Sequence, residues 1–363
     1  MTAPIALCYG TRPQVIKASV LRRELAKVGR VVAIDTGQHY DYALNQLLYD
    51  QLGVAAPDHC LEVGSASHAT QTAGILVRAE ALYASVSPRA VVVIGDTNST
   101  LGCAVAAAKL RIPVVHVEAG LRAGDALMAE EINRRVVDAI GALLCTPSAA
   151  ATARMRAEHP EAIVEETGDV ARDVLLAQVN GLPPRSAMSD APDRGDYAFA
   201  TLHRAELTDE PARLDALLRA LAVLPLPVVL AMHPRTRAAL ESSGHPVMDR
   251  GSLAVVAAVG YLESLALTSR ARLVITDSGG VQREAYWLGV PCITMRTETE
   301  WTETVERGAN RLHPPDGVDT LVAAVEERLA VPRTWDRDAY GTGDAAGRVA
   351  AAVARLLDQK AGR

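Results

Sequence analysis

Three carboxylates stand where an acid needs either a partner or a task. Asp96 follows an apolar run in Gly95-Asp96-Thr97-Asn98-Ser99-Thr100, Glu118 lies among aliphatic residues in His116-Val117-Glu118-Ala119-Gly120-Leu121-Arg122, and Glu130 opens Glu130-Glu131-Ile132-Asn133-Arg134-Arg135. Upstream, Gly10-Thr11-Arg12-Pro13-Gln14 runs into Val15-Ile16-Lys17. A glycine turn, a helix-starting proline and two cations thus fall within about two helical turns, which suits an anion. Acids beside phosphate-binding cations suggest proton transfer next to a leaving phosphate. Each feature also has a plainer reading. Asp96 can simply cap a helix, Glu130 can serve a helix dipole, and Arg12 and Lys17 can be solvated in an ordinary strand-to-helix turn that lacks GxGxxG and is no Walker loop.

The second half of the chain carries two histidines and a glycine pair. One apolar run ends in His203-Arg204-Ala205-Glu206 and another in His233-Pro234-Arg235. Two histidines at neighbouring strand ends, each followed by an arginine, argue against two isolated core histidines. The strongest single signal is Thr276-Asp277-Ser278-Gly279-Gly280-Val281-Gln282-Arg283-Glu284-Ala285. It reads as a strand end, a capping serine, two glycines that allow close approach, and a helix whose free N–H groups suit a diphosphate. Glu284 follows Gly280 by about one turn, where an acid can accept from two vicinal ribose hydroxyls.

These residues need a scaffold of strands that end in loops. Short valine- and isoleucine-rich runs alternate with amphipathic stretches throughout, the pattern of βα units feeding a parallel sheet. In the first half the strand candidates are Ile5 to Tyr9, Val31 to Asp35, Ala90 to Ile94, Pro113 to Val117, Ala142 to Thr146 and Ala162 to Glu165. In the second they are Tyr197 to Leu202, Pro227 to Ala231, Leu253 to Val256, Leu273 to Thr276 and Pro291 to Met295. Gly181 to Asp196 is proline-rich and aperiodic and reads as a linker. The expectation is an α/β chain with two Rossmann-like doubly wound domains, residues 1–180 and 197–343. A final helix from Asp344 to Leu357, within 344–363, either closes the second domain or crosses back to the first. The carboxyl ends of the strands would line a ligand cleft.

Composition narrows the function. A length of 363 residues fits two domains. The hydrophobic fraction of 49% and charged fraction of 22% are those of an ordinary folded α/β protein. A net charge of -6 with interspersed signs offers no basic face for nucleic acid and no polybasic membrane anchor. No charged leader precedes the first strand and no run reaches membrane length, so a cytoplasmic location is expected. Five cysteines without CxxC spacing read as buried thiols rather than as a metal or redox site.

Together, the ordered segments Gly10 to Lys17, Thr36-Gly37-Gln38-His39, Gly95 to Thr97, His116 to Arg122, Glu130-Glu131, His203-Arg204 and Thr276 to Glu284 resemble the non-hydrolysing UDP-N-acetylglucosamine 2-epimerases. The resemblance runs from Gly10 to about Arg311. It implies two Rossmann domains in the glycosyltransferase-B arrangement, a homodimer, a UDP-sugar substrate, and no NAD, other cofactor or metal. It assigns Asp96, Glu118 and Glu130 as acid/base groups, and His203, Arg12 and Lys17 to the diphosphate. Ser278, Gly279, Gly280 and Glu284 become the UDP site, with His233 a phosphate or uracil contact. The implied reaction is reversible conversion of UDP-N-acetylglucosamine to UDP-N-acetylmannosamine through 2-acetamidoglucal.

The chain departs from the family pattern in several places. Gln14 replaces the acid of GTRPE, Ala129 replaces the proline before the acid pair, and Tyr40-Asp41 follow Gln38-His39 where many bacterial members have an arginine. Glu298-Thr299-Glu300-Trp301-Thr302-Glu303-Thr304 differs from the TERPE form. Alternatives left open are a modified UDP-N-acetylhexosamine as substrate, a hydrolysing 2-epimerase, and a glycosyltransferase of the same fold.

Overall fold

In the computed structural model the described residues are 3–38, 49, 53–182, 197–242, 244 and 251–361. His39, Tyr40, Asp41 and most of the linker, 183–196, lie outside them. The chain divides into two compact units, Met1–Ala177 with Ala339–Arg363, and Gln178–Asp338.

The first unit runs β1 (Ile5–Tyr9), α1 (Arg12–Leu25), β2 (Val31–Asp35), β3 (His59–Cys60), α2 (His68–Val86), β4 (Ala90–Ile94), α3 (Asn98–Lys109), β5 (Val114–Val117), α4 (Ala129–Ile140), β6 (Leu143–Thr146), α5 (Ala149–Glu158), β7 (Ile163–Glu166) and α6 (Val170–Gln178). Its strands pair in parallel in the order β3-β2-β1-β4-β5-β6-β7. Every residue of β1 (IALCY) and β4 (AVVVI) is buried. A parallel sheet covered on both faces demands such continuous apolar runs, and each buried aliphatic side chain adds about 1.5–3 kcal/mol.

The second unit repeats the pattern with β8 (Ala198–Leu202), α7 (Ala205–Thr208), α8 (Pro211–Ala222), β9 (Val228–Met232), α9 (Pro234–Ser242), β10 (Leu253–Val256), α10 (Tyr261–Arg270), β11 (Leu273–Thr276), α11 (Gly279–Leu288), β12 (Cys292–Thr294), α12 (Thr302–Glu306), β13 (Asn310–Leu312) and α13 (Leu321–Ala330). The sheet order is β10-β9-β8-β11-β12-β13, again parallel. Two core layers sandwich it: Leu202, Leu230, Ile275 and Ile293 face one side, and Phe199, Val229, Val274 and Cys292 the other.

The last helix, α14 (Ala345–Ala361), packs on α1 in the first unit. Its start is tied down by Asp173 of α6, whose carboxylate accepts from the Ala345 N–H at 3.1 Å and the Ala346 N–H at 2.7 Å. That supplies the orphan N–H groups of a first helical turn from a neighbouring helix rather than from a local cap. Both expected domains contain one strand the sequence reading lacks. β3 is two exposed residues, and β13 buries the polar Asn310, so neither presents an apolar run. All five cysteines are free; Cys60 is exposed and the other four are buried. Among the described residues no helix is long and apolar enough to cross a membrane.

In each sheet the chain reverses its winding once, between β1 and β4 and between β8 and β11. Such switch points open a crevice at the carboxyl ends of the two strands. The loops after these four strands are Gly10 to Gln14, Gly95 to Thr97, His203-Arg204 and Asp277 to Gly280, the segments singled out for their chemistry.

Candidate active site

At the first switch point, Gln14 ties two loops together. Its side-chain oxygen accepts from the backbone N–H groups of Gly10 (2.9 Å) and Thr11 (3.2 Å), while its nitrogen donates to the Ile94 carbonyl at 2.6 Å and lies 2.9 Å from the hydroxyls of Thr97 and Thr100. A carboxamide can accept at one end and donate at the other, which a carboxylate cannot do toward a carbonyl. Gly10 is required here because a Cβ would collide with the hydroxyls of Thr36 and Ser99. Gln38 accepts from the Ser99 N–H (2.9 Å) and hydroxyl (2.6 Å), fixing the start of α3.

Gln14 and Lys17, three residues apart, share one face of α1. Lys17 crosses to the end of β5 and meets Glu118, with Nζ 2.6 Å from each carboxylate oxygen. Both side chains are buried, at 8% and 6% exposure, so each charge compensates the other. Lys17, expected near the diphosphate, is here ion-paired with Glu118. Glu118 adopts φ +70°, a left-handed backbone rare outside glycine. It stands just past the paired ends Ile94 and Val117, so its carboxylate lies against Gly95, where an added Cβ would sit 3.3 Å from Oε2.

Asp96 pairs with Arg134 of α4, and Asn133 donates to the Asp96 carbonyl at 2.8 Å. The Glu130-Glu131 pair splits, because successive helical residues point about 100° apart. Glu131 turns inward, fully buried, and meets Arg134 (3.2 Å), Arg135 (2.9 Å) and the Ala123 N–H (3.0 Å). Glu130 is exposed in the first turn of α4 and has no ion-pair partner among the described residues. Arg12, half-buried at the start of α1, also has none, and burial works against its charge.

Behind Glu118 lies a buried histidine. His116 Nδ1 is 2.7 Å from Asp138 Oδ1 on α4, and Nε2 is 2.8 Å from the Gly95 carbonyl. Burial disfavours a charged ring, but Asp138 and the Gly95 carbonyl outweigh it and hold the imidazole above its usual pKa. Burial likewise opposes ionisation of Asp138, yet His116 and Arg122 keep that carboxyl below its ordinary range.

At the second switch point, buried Asp277 bridges the two strand ends. Its Oδ2 accepts from the backbone N–H groups of His203 and Arg204, both at 2.7 Å, and Oδ1 lies 3.1 Å from His203 Nδ1. Burial would raise its pKa, but the His203 ring and these two N–H groups hold it low. His203 is thereby fixed by Nδ1, and its ring meets the His233 ring at 5.3 Å between centroids. Ser278 caps α11 through the Val281 N–H at 3.5 Å, and the N–H groups of Gly279 and Gly280 have no acceptor among the described residues. Free N–H groups at a helix start form an anion site. A Cβ on Gly280 would meet only Ser278 Oγ at 3.7 Å, so that face is open, whereas Gly279 is packed against Glu300 and Trp301.

Glu284, half-buried in α11, has no hydrogen-bond or ion-pair partner among the described residues. Burial pushes its pKa up to about 7, against a downward pull from Arg283. Arg283 itself stacks 3.7 Å over Trp301 and donates to the Gly279 carbonyl at 3.2 Å. The segment that departs from the family's TERPE form therefore buttresses the glycine turn. The sequence reading missed Gln14's bridging role, Arg134, His116 and Asp138. Their only traces in the sequence were His116 at the head of HVEAGLR, Arg134 soon after the acid pair, and Gln14 in place of the acid of GTRPE; nothing marked Asp138.

A sequence model of the UDP-N-acetylglucosamine 2-epimerase family matches residues 23–354. A UDP-2,3-diacetamido-2,3-dideoxy-D-glucuronate 2-epimerase of Pseudomonas aeruginosa is 39% identical over 362 residues, 97% of this chain and 99% of the relative. A UDP-N-acetylglucosamine 2-epimerase of Methanocaldococcus jannaschii is 36% identical over 361 residues, 95% of this chain and 97% of the relative. The crystal structure of the M. jannaschii UDP-GlcNAc 2-epimerase in complex with UDP-GlcNAc and UDP matches with a TM-score of 0.87 at 36% identity, covering 99% of this chain and 100% of that one. Switch-point loops, glycine-turn helix and acid array therefore stand within a full-length match in both sequence and structure, and the chain belongs to the UDP-N-acetylglucosamine 2-epimerase family.

Proposed function

We propose that the chain inverts C2 of a UDP-2-acetamido sugar without net hydrolysis, taking UDP-N-acetylglucosamine to UDP-N-acetylmannosamine and back. The observation that carries the reading is the buried Lys17–Glu118 pair on a left-handed strand end, beside Asp96 at the carboxyl edge of the first sheet.

The chemistry explains why such an array is needed. C2 itself bears the amide nitrogen and has no carbonyl neighbour, so a carboxylate cannot remove its proton directly. Breaking the C1–O bond sends its electron pair to the β-phosphate oxygen of UDP and leaves an oxocarbenium-like sugar, which acidifies C2. A carboxylate then takes the C2 proton and the C1–C2 double bond of 2-acetamidoglucal forms. Protonation of C2 from the opposite face and return of the UDP oxygen to C1 complete the inversion.

Glu118, Asp96 and Glu130 are assigned to proton transfer. Lys17 is assigned both to Glu118, with which it pairs, and to the diphosphate. Departing UDP is assigned to Arg12, to His203 as oriented by Asp277, and to the free N–H groups at Gly279 and Gly280. Glu284 is assigned to the ribose, and His233 to a phosphate or uracil contact.

Turnover of UDP-N-acetylglucosamine in D2O should place deuterium at C2 of the product. Product retaining only the original hydrogen excludes this route. Phosphorus NMR of the anomeric diphosphate separates epimerisation from hydrolysis. A second substrate is favoured by one observation: the P. aeruginosa relative, 39% identical, acts by its name on a diacetamido glucuronate. Running both sugars in parallel identifies the preferred one.

A further inference from the structure

One buried carboxylate grips the chain on both sides of Glu118. Asp138 Oδ1 lies 2.7 Å from His116 Nδ1, and Oδ2 accepts from the Gly120 N–H at 3.3 Å. Those partners are two residues before and two residues after Glu118. On its far side His116 meets the Gly95 carbonyl at 2.8 Å, in the turn that carries Asp96. Arg122 completes the cluster, donating to Asp138 Oδ2 at 2.7 Å and to the Leu121 carbonyl at 2.8 Å.

The protonation state follows from the partners. A backbone carbonyl only accepts, so His116 Nε2 carries a proton. Asp138, receiving Arg122 and the Gly120 N–H as well, accepts at Nδ1 too. The ring is an imidazolium with no surface exposure. The charged groups around His116 are Asp138, Asp96 and Arg122, and through Arg122 Glu131 and Glu158.

The backbone that this cluster holds has little slack. Gly95, Glu118 and Gly120 are all left-handed, at φ +65°, +70° and +84°. A Cβ on Gly120 would come within 2.8 Å of the Ala151 carbonyl, so the turn is pressed against α5. A non-glycine residue stays in that conformation only when its surroundings impose it. The cluster's hydrogen bonds to the Gly95 carbonyl and the Gly120 N–H fall on either side of Glu118.

We infer that His116 and Asp138 are positioning residues for Glu118: their buried ion pair clamps the Gly95 carbonyl and the Gly120 N–H about it, and so sets the aim of its carboxylate. The inference rests on the epimerase reading above.

The test uses the full chain and whichever UDP-sugar the wild type turns over. His116→Gln, Asp138→Asn and the double variant are compared for kcat, KM and UDP affinity, with circular dichroism and thermal melting as fold controls. A shift of about 1 Å in a reacting group costs about a hundredfold. Each single variant should therefore lose about a hundredfold in kcat with KM and UDP affinity within about twofold. The double should lose no more than about threefold beyond the worse single, since the pair acts as a unit. Folded single variants with wild-type kcat, or with kcat intact and KM raised, overturn the inference.

If the buried variants do not fold, Arg122→Gln at the rim decides. A kcat about tenfold lower at constant KM supports the clamp, and wild-type kcat overturns it. Independently, nitrogen-15 NMR of His116 in the wild type at pH 8 should show both ring nitrogens protonated, and a neutral ring overturns it. A wild type inert towards both sugars sinks the epimerase reading and this inference with it; an active wild type with undiminished variants sinks the inference alone.

Discussion

Replacing Glu284 should strengthen the fold and weaken nucleotide binding in the same protein. Its carboxyl titrates near 7, against an ordinary 4.5, because burial disfavours the charge. Between those values the native state holds a proton that the unfolded chain has released. The native state therefore binds more protons, and this group's contribution to stability falls as pH rises from about 4.5 through about 7. At about 1.36 kcal/mol per pH unit the cost at pH 8 is at most about 3 kcal/mol. Partial water access reduces that to about 1 kcal/mol. Glu284→Gln escapes it, and should exceed the wild type by about 1 kcal/mol at pH 8 with the advantage vanishing towards pH 4.5.

Binding should move the other way. If the carboxylate accepts from two ribose hydroxyls, losing its charge removes about 2 kcal/mol, or about thirtyfold in Kd for UDP. The ionised fraction of a group near 7 rises about tenfold from pH 6 to pH 8, so wild-type affinity should gain up to about tenfold over that range relative to Glu284→Gln. Taking the ratio to the variant cancels the titration of UDP itself. Calorimetric titration and urea unfolding at four pH values measure both effects. A variant that binds UDP like the wild type at pH 8, or that is less stable there, refutes the assignment.

Two further perturbations concern buried carboxylates. Lys17→Met removes the ion-pair partner of buried Glu118 and should cost about 3–5 kcal/mol in urea unfolding, most of it recovered in Lys17→Met/Glu118→Gln; a single variant as stable as the wild type would show the pair to be dispensable. Asp277→Asn removes a charged acceptor from two N–H groups and His203 and should cost about 2–3 kcal/mol near pH 7. Because Asp277 is held low, that difference should shrink as pH falls through its native pKa, and a loss independent of pH down to acid unfolding would point to shape rather than charge.

Most strands were legible because a parallel sheet covered on both faces requires unbroken apolar runs, and β1 and β4 are such runs. β3 and β13 were not, since two exposed residues and a buried asparagine leave no hydrophobic trace. Of the site, the loops were legible through their punctuation: a glycine with no room for a Cβ at Gly10, and a serine-capped glycine pair at Ser278 to Gly280. The roles of the charged residues were harder. The partner of Lys17, Glu118, is 101 residues away in sequence, and Arg134 lies 38 residues from the Asp96 it grips.

What the amino-acid order determined by itself was local: which runs must be buried, where the chain must turn, and which turns leave N–H groups free for an anion. Those follow from periodicity and backbone sterics over a few residues. Which acid meets which cation was decided only when strand order set β1 beside β4 and β4 beside β5. A charge taken out of water must find its opposite among whatever the sheet brings within reach, and that neighbour is a property of the fold rather than of any segment.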